Sequence, residues 1–138
     1  MKEEVSAGII LFNEMDGRKF LLLNYPSKHW DFVKGKMENS EEPKQTAIRE
    51  TKEETGIIDV EFIDGFNEEI SYTFYVKNEE IDKKVIFYLG KTKSTEIVLS
   101  HEHLDFAWLN LKDAMDRITY ENAKIVLTKA NNLLQSGI

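Results

Sequence analysis

The sequence contains no cysteine in 138 residues and only two prolines. Without thiols there is no disulfide framework, no thiolate metal site and no thiol nucleophile. Long apolar runs are also missing. The first, "AGIILF", is shorter than a signal-peptide core and gives way to Asn13 and Glu14, and no later run approaches membrane-spanning length. The chain is therefore expected to be untargeted and cytoplasmic, with no membrane partner. Positive charge is scarce: 18 Lys and Arg stand against 25 Asp and Glu, a formal net charge of −7. That argues against broad nucleic-acid binding, which needs a positive field to neutralise phosphates. A small phosphorylated ligand stays compatible if lysines converge locally.

What is present is enough apolar residue, 41% of the chain, for one core and not for two. No repeat, low-complexity tract or linker appears, so residues 1–138 are expected to form one domain. "VSAGIILF" and "KFLLLNY" read as strands separated by the turn formers of "NEMDGR". The following "SKHWDFVKGKMENSEE" has no sustained period and is expected to be mostly loop. From Ser40, "SEEPKQTAIRETKEETG" carries an N-cap candidate, acidic residues and a proline in the first turn and a terminal glycine, which predicts a helix. "IIDVEFIDGF", "ISYTFYV" and "KKVIFYLGKT" predict three strands and "DFAWLNL" one more. Asn110 is a candidate N-cap for "NLKDAMDRI", and Ala123, Val126, Leu127, Ala130 and Leu134 share one face of a final helix. The expected fold is α/β (α+β), a mixed sheet between helical layers in an α/β/α sandwich.

On the central helix, Glu50, Glu53 and Glu54 fall at i, i+3 and i+4, so their side chains share a face and repel. Two readings follow. The glutamates form a solvated face relieved by Arg49 and Lys52, or they await a hard cation such as Mg²⁺ or Mn²⁺, which takes carboxylate oxygens and bridges to phosphates.

The surrounding spacing separates these readings. Gly35, five residues, Glu41, seven residues and then "RETKEETGI" match the Nudix box, Gly-x5-Glu-x7-Arg-Glu-U-x-Glu-Glu-x-Gly-U, at Gly35, Glu41, Arg49, Glu50, Glu53, Glu54 and Gly56, with Ile57 as the last aliphatic. Thr51 stands where the pattern has a bulky aliphatic residue, and it is expected to turn its methyl to the core beside Ala47 and Ile48. With the segments "KHWDFVKG", "EEISY", "KKVIFYLG" and "LSHEHLDFAWLNLKDA", the chain resembles the asymmetrically cleaving diadenosine tetraphosphate hydrolases of the Nudix superfamily.

That resemblance implies a Nudix-type fold and a divalent-cation-dependent hydrolysis. Glu50, Glu53, Glu54 and Glu102 of "SHEH" are implied as metal ligands and catalytic groups, with Glu53 a further ligand or base. Arg49 would orient a box glutamate, Glu41 would tie the loop to the helix, and Gly35 and Gly56 complete the structural box. His29, Lys34 and Lys83 match phosphate-binding positions, lysine being a compact point charge suited to that task. Tyr72 and Phe87 match the adenine clamp, Phe87 keeping a stacking face where a tyrosine is expected. His101 and His103 are expected to fix the loop carrying Glu102.

Two loops depart from the family: "FVKG" replaces a double proline before Lys-Gly, and "ENSE" replaces Glu-Pro-Gly-Glu. The expected function is hydrolysis of diadenosine polyphosphates, chiefly the tetraphosphate, to ATP and AMP, with Mg²⁺ or Mn²⁺. The alternatives are another Nudix pyrophosphohydrolase, acting on nucleoside triphosphates, capped RNA ends or nucleotide sugars, and a non-catalytic adenine-nucleotide-binding module. The intact glutamates weigh against the module, which has no need of a base.

Overall fold

Strand β1 (Lys2–Asn13) organises the molecule, and its last eight residues are all buried. This computed structural model describes residues 2–136. Along its whole length β1 pairs in parallel with β7 (Glu79–Lys91), from Lys2 opposite Ile81 to Phe12 opposite Lys91. On its other edge the middle residues, Ser6 to Ile9, pair with β4 (Val33–Lys36) and the last two with β2 (Lys19–Asn24). β2 also carries β3 (Trp30–Asp31) and β8 (Asp105–Leu109), while β7 carries β5 (Glu61–Phe62) and β6 (Glu68–Val76). Parallel and antiparallel pairs thus share one eight-stranded mixed sheet.

Alternation of side chains across the pleat divides the core in two. Ala7, Ile9, Leu11, Leu21, Leu23 and Val33 pack with Ala47 of α1 (Pro43–Thr55). Ile10, Phe12, Phe20, Leu22, Val85, Phe87 and Leu89 pack on the opposite face with Ala114 of α2 (Leu111–Arg117) and Ala123, Val126, Leu127 and Ala130 of α3 (Glu121–Ser136). Leu134 joins them half-buried. The architecture is the expected α/β/α layering of a mixed sheet. No helix among the described residues is long and apolar enough to cross a membrane.

Three local expectations change. The segment expected to be loop holds β3 and β4, two short edge strands whose pairing comes from β1 and β2 rather than from any period of their own. The N-cap of α1 is Glu42, whose N–H donates to Gln45 Oε1 at 2.8 Å, so the acidic pair precedes the first turn that Pro43 opens. Ser40 instead takes a left-handed φ of 68° in the turn before it. Thr51 is fully buried with its hydroxyl donating to Ala47 O at 2.8 Å, but Ile48 is 46% exposed and is not its core neighbour. Buried Thr46, Ala47, Thr51 and Thr55 give α1 a thin inner face, which lets its backbone lie close to the sheet.

Candidate active site

Edge strand β4 presents opposite faces to two parts of the site. Gly35 pairs with Ala7 and so faces α1, while Lys34 and Lys36 pair with Gly8 and Ser6 and face the other way. A Cβ added at Gly35 would land on the Glu50 carboxylate, so glycine here makes room for that side chain. At the end of the helix Gly56 adopts φ 78°, the left-handed cap, and returns its N–H to Lys52 O at 2.9 Å.

Arg49 holds the loop and the helix together. Its Nε donates to Glu41 Oε2 at 2.7 Å, Nη2 to Glu41 Oε1 at 3.1 Å and to Lys36 O at 3.0 Å, and Nη1 to Glu50 at 3.2 Å and Glu53 at 3.2 Å. Glu41 also accepts from Thr46 Oγ1 at 2.7 Å and from the N–H of Glu38 at 2.9 Å. The Arg49 hydrogen bond, with those from Glu38 and Thr46, holds the Glu41 carboxyl down at about 2.

The three helix glutamates separate by environment. Glu53 has a 56% exposed side chain and turns to Arg49. Glu54 is buried, and Glu50 lies within hydrogen-bonding reach of it. Burial first, then Glu50, then the charge of Glu102 push the Glu54 carboxyl well above the usual carboxylate range. Its Oε1 has no hydrogen-bond partner.

The chain brings "SHEH" here because the segment after β7 caps the end of α1: Val98 N donates to Thr55 O at 3.0 Å and Ser100 N to Glu54 O at 3.3 Å. His103 Nδ1 meets Ser100 Oγ at 3.2 Å, and burial pulls this imidazole's pKa down. A buried, orphaned carboxylate oxygen beside two further carboxylates suits a hard divalent cation. Glu50, Glu54 and Glu102 are the side chains that could hold one. Among the described residues no three His, Asp or Glu groups already stand in ligand geometry.

Three clefts adjoin. One of about 540 Å³ is lined by Lys34, Gly35, Glu50, Glu54, His101 and Glu102. A second, about 400 Å³, is lined by His29, Asp31, Lys34, Ile70, Tyr72 and Tyr120. The third, about 420 Å³, contains Glu4, Tyr72, Thr73 and Lys83. Lys34 lines the first two and Tyr72 the last two, so carboxylates, aromatic slot and lysines adjoin through shared side chains in one row of clefts, here called the trough.

A family model described as the NUDIX domain matches residues 2–129. The chain belongs to the Nudix family. This Nudix hydrolase is 33% identical over 133 residues to the bis(5'-nucleosyl)-tetraphosphatase [asymmetrical] of Caenorhabditis elegans, covering 94% of this chain and 95% of the relative. The pig protein of the same name is 36% identical over 124 residues, covering 86% and 82%. Among solved structures, a binary complex of the C. elegans Ap4A hydrolase superposes with a TM-score of 0.81 at 30% identity, covering 96% of this chain and 98% of that one.

One site residue of this Nudix chain is misplaced by sequence reading. Phe87 is fully buried and packs edge-on against Phe32 with ring centroids 5.5 Å apart, so it offers no face to a base. Its strand alternation puts it under α3, in the core. Tyr120, half exposed between α2 and α3, faces the aromatic slot instead. It is held there because Thr119 Oγ1 accepts from Trp30 N at 2.8 Å and Thr119 N donates to Trp30 O at 3.3 Å. Its ring lies 5.4 Å from that of His29, which stacks on Tyr25 at 4.7 Å. Sequence carries no signal for Tyr120, which sits in a helix connection without period. For Lys34, burial lowers the pKa but Asp31 and then Tyr72 raise it, and the net shift is upward. The ammonium is retained.

Proposed function

We propose that this Nudix hydrolase cleaves diadenosine polyphosphates, chiefly diadenosine tetraphosphate, to ATP and AMP with Mg²⁺ or Mn²⁺. The observation that carries the reading is the shared wall of Lys34 between the carboxylate cleft and the aromatic cleft. A nucleotide with its base in one and its phosphates in the other spans the trough, and relatives covering nearly the whole chain are named for this substrate class.

Glu50, Glu54 and Glu102 would hold the cation, and Glu53 would add to the acidic rim from its place at Arg49. When bound, a divalent cation neutralises phosphate charge and acidifies the attacking water. The chain's own part is positioning and charge stabilisation, which dominate phosphoryl transfer. Arg49 and Gly35 fix the Glu50 carboxylate. Lys34, Lys83 and His29 take the phosphates. Tyr72 with Tyr120 stacks the adenine.

The test is product analysis in ¹⁸O-labelled water across dinucleoside polyphosphates, nucleoside triphosphates, capped RNA ends and nucleotide sugars. Selective release of ATP and AMP from the tetraphosphate is expected, with activity lost in chelator and restored by Mg²⁺ or Mn²⁺. Preference for another substrate class, or hydrolysis without metal, would sink the assignment.

A further inference from the structure

Lys34 and Lys83 of the trough, and Lys36 beside it, each stand against a carboxylate of the chain itself. Lys34 Nζ lies 3.2 Å from Asp31 Oδ2. Glu4 is shared between two lysines: Oε2 is 3.3 Å from Lys36 Nζ and Oε1 is 3.4 Å from Lys83 Nζ.

Strand register makes this arrangement part of the fold. Glu4 of β1 stands opposite Lys83 of β7, and Lys83 stands opposite Tyr72 of β6. Two residues along β1, Ser6 stands opposite Lys36 of β4. Glu4, Lys36, Lys83 and Tyr72 therefore share one face of the sheet. The side chains of Glu4 and Lys83 are only 15% and 12% exposed. Burial raises the Glu4 carboxyl, but Lys36 and Lys83 outweigh it and the net shift is downward. Glu4 is thus an ionised carboxylate set between two lysines that a polyphosphate would otherwise meet directly, and burial holds the Lys83 ammonium below the usual lysine range even with Glu4 beside it.

We propose that Glu4 is the internal counter-anion of the phosphate trough, a positioning residue that occupies Lys36 and Lys83 in the free protein and yields them to a polyphosphate. The inference rests on the reading of Lys83 as a phosphate-binding residue, and it adds Lys36 to that set. An incoming polyphosphate must displace Glu4 from the mostly buried Lys83 and from Lys36, whose side chain is 67% exposed, and then sit beside the Glu4 charge, so Glu4 holds anion affinity down. A low intrinsic affinity for phosphate speeds release of a triphosphate product.

The experiment is calorimetric titration of the metal-stripped, full-length chain with inorganic tripolyphosphate at low salt. Glu4→Gln is expected to bind about tenfold more tightly or better, tenfold being about 1.4 kcal/mol, and the gain is expected to vanish in a Lys83→Met background. Glu4→Ala provides a second variant with the same expected direction, and thermal midpoints identify any variant that fails to fold. Unchanged or weaker binding in the folded variants overturns the proposal, because Glu4 would then merely brace Lys83. So does a gain that survives loss of Lys83, or no detectable binding in any form. The titration needs neither metal nor dinucleotide, so a different substrate preference leaves its result standing, and its failure leaves the product assay untouched.

Discussion

Glu54 Oε1 and His103 Nε2 lie 3.4 Å apart, both buried and both without a hydrogen-bond partner. Burial lowers the imidazole's pKa and raises the carboxyl, so neither group supplies the charge the other lacks. Glu54, raised by burial and then by its neighbours Glu50 and Glu102, therefore holds a proton in the metal-free protein. Its folded value, about 10, lies above the unfolded 4.5, so the folded chain binds a proton that the unfolded chain has lost. The associated stability is complete below about 4.5 and is lost as pH rises towards 10, with a limiting slope of about 1.4 kcal/mol per pH unit. Urea midpoints of the metal-free protein are expected to fall over this window, and Glu54→Gln or saturating Mg²⁺ should flatten the curve. A flat wild-type profile would contradict a protonated Glu54.

Gly35→Ala should keep the fold and lose turnover. The added methyl displaces the Glu50 carboxylate, and an ångström-scale misplacement of a catalytic group costs on the order of a hundredfold in rate. Circular dichroism and kcat measured together check this. Near-normal kcat would show that Glu50 does not need its present position.

Arg49→Lys should lower kcat about tenfold or more, because one ammonium cannot replace a planar fork that reaches Glu41, Glu50 and Glu53 together. The same variant should denature at higher pH on acidification. Glu41 has a depressed folded value, so its contribution is present above 4.5 and is lost as pH falls towards about 2. Without the guanidinium that contribution is already missing above 4.5, so the variant starts less stable and less acid is needed to unfold it. An acid midpoint equal to wild type would remove Arg49 as the cause of the depression.

Phe87→Ala and Tyr120→Ala should separate core from slot. Truncating the buried phenylalanine should cost about 3–5 kcal/mol of stability, whereas Tyr120→Ala should leave stability close to wild type and raise KM for dinucleotides several-fold. A stable Phe87→Ala protein with a raised KM would restore the opposite assignment.

Much of the fold was legible because it is written in local periods. The long strands β1, β6 and β7 and helices α1 and α3 carry runs of ten or so patterned residues, and Asn110 caps α2 with its side chain accepting from Asp113 N. The short strands β3 and β4 were not legible. "WD" and "VKGK" are too brief to show alternation, and their pairing energy comes from neighbours distant in sequence.

The candidate site divides along the same line. By itself the sequence determined the chemical type, since Gly35, Glu41, Arg49, Glu50, Glu53, Glu54 and Gly56 stand at fixed separations on one loop and one helix, where spacing translates directly into geometry. Only the tertiary structure decided which glutamate is buried, which aromatic is open and which lysines are already paired. Strand alternation says that Phe87 and Lys83 share a face but not where α3 ends over that face. Glu4 meets Lys83 across 79 residues of chain, a distance that no local pattern spans and that sheet register alone closes.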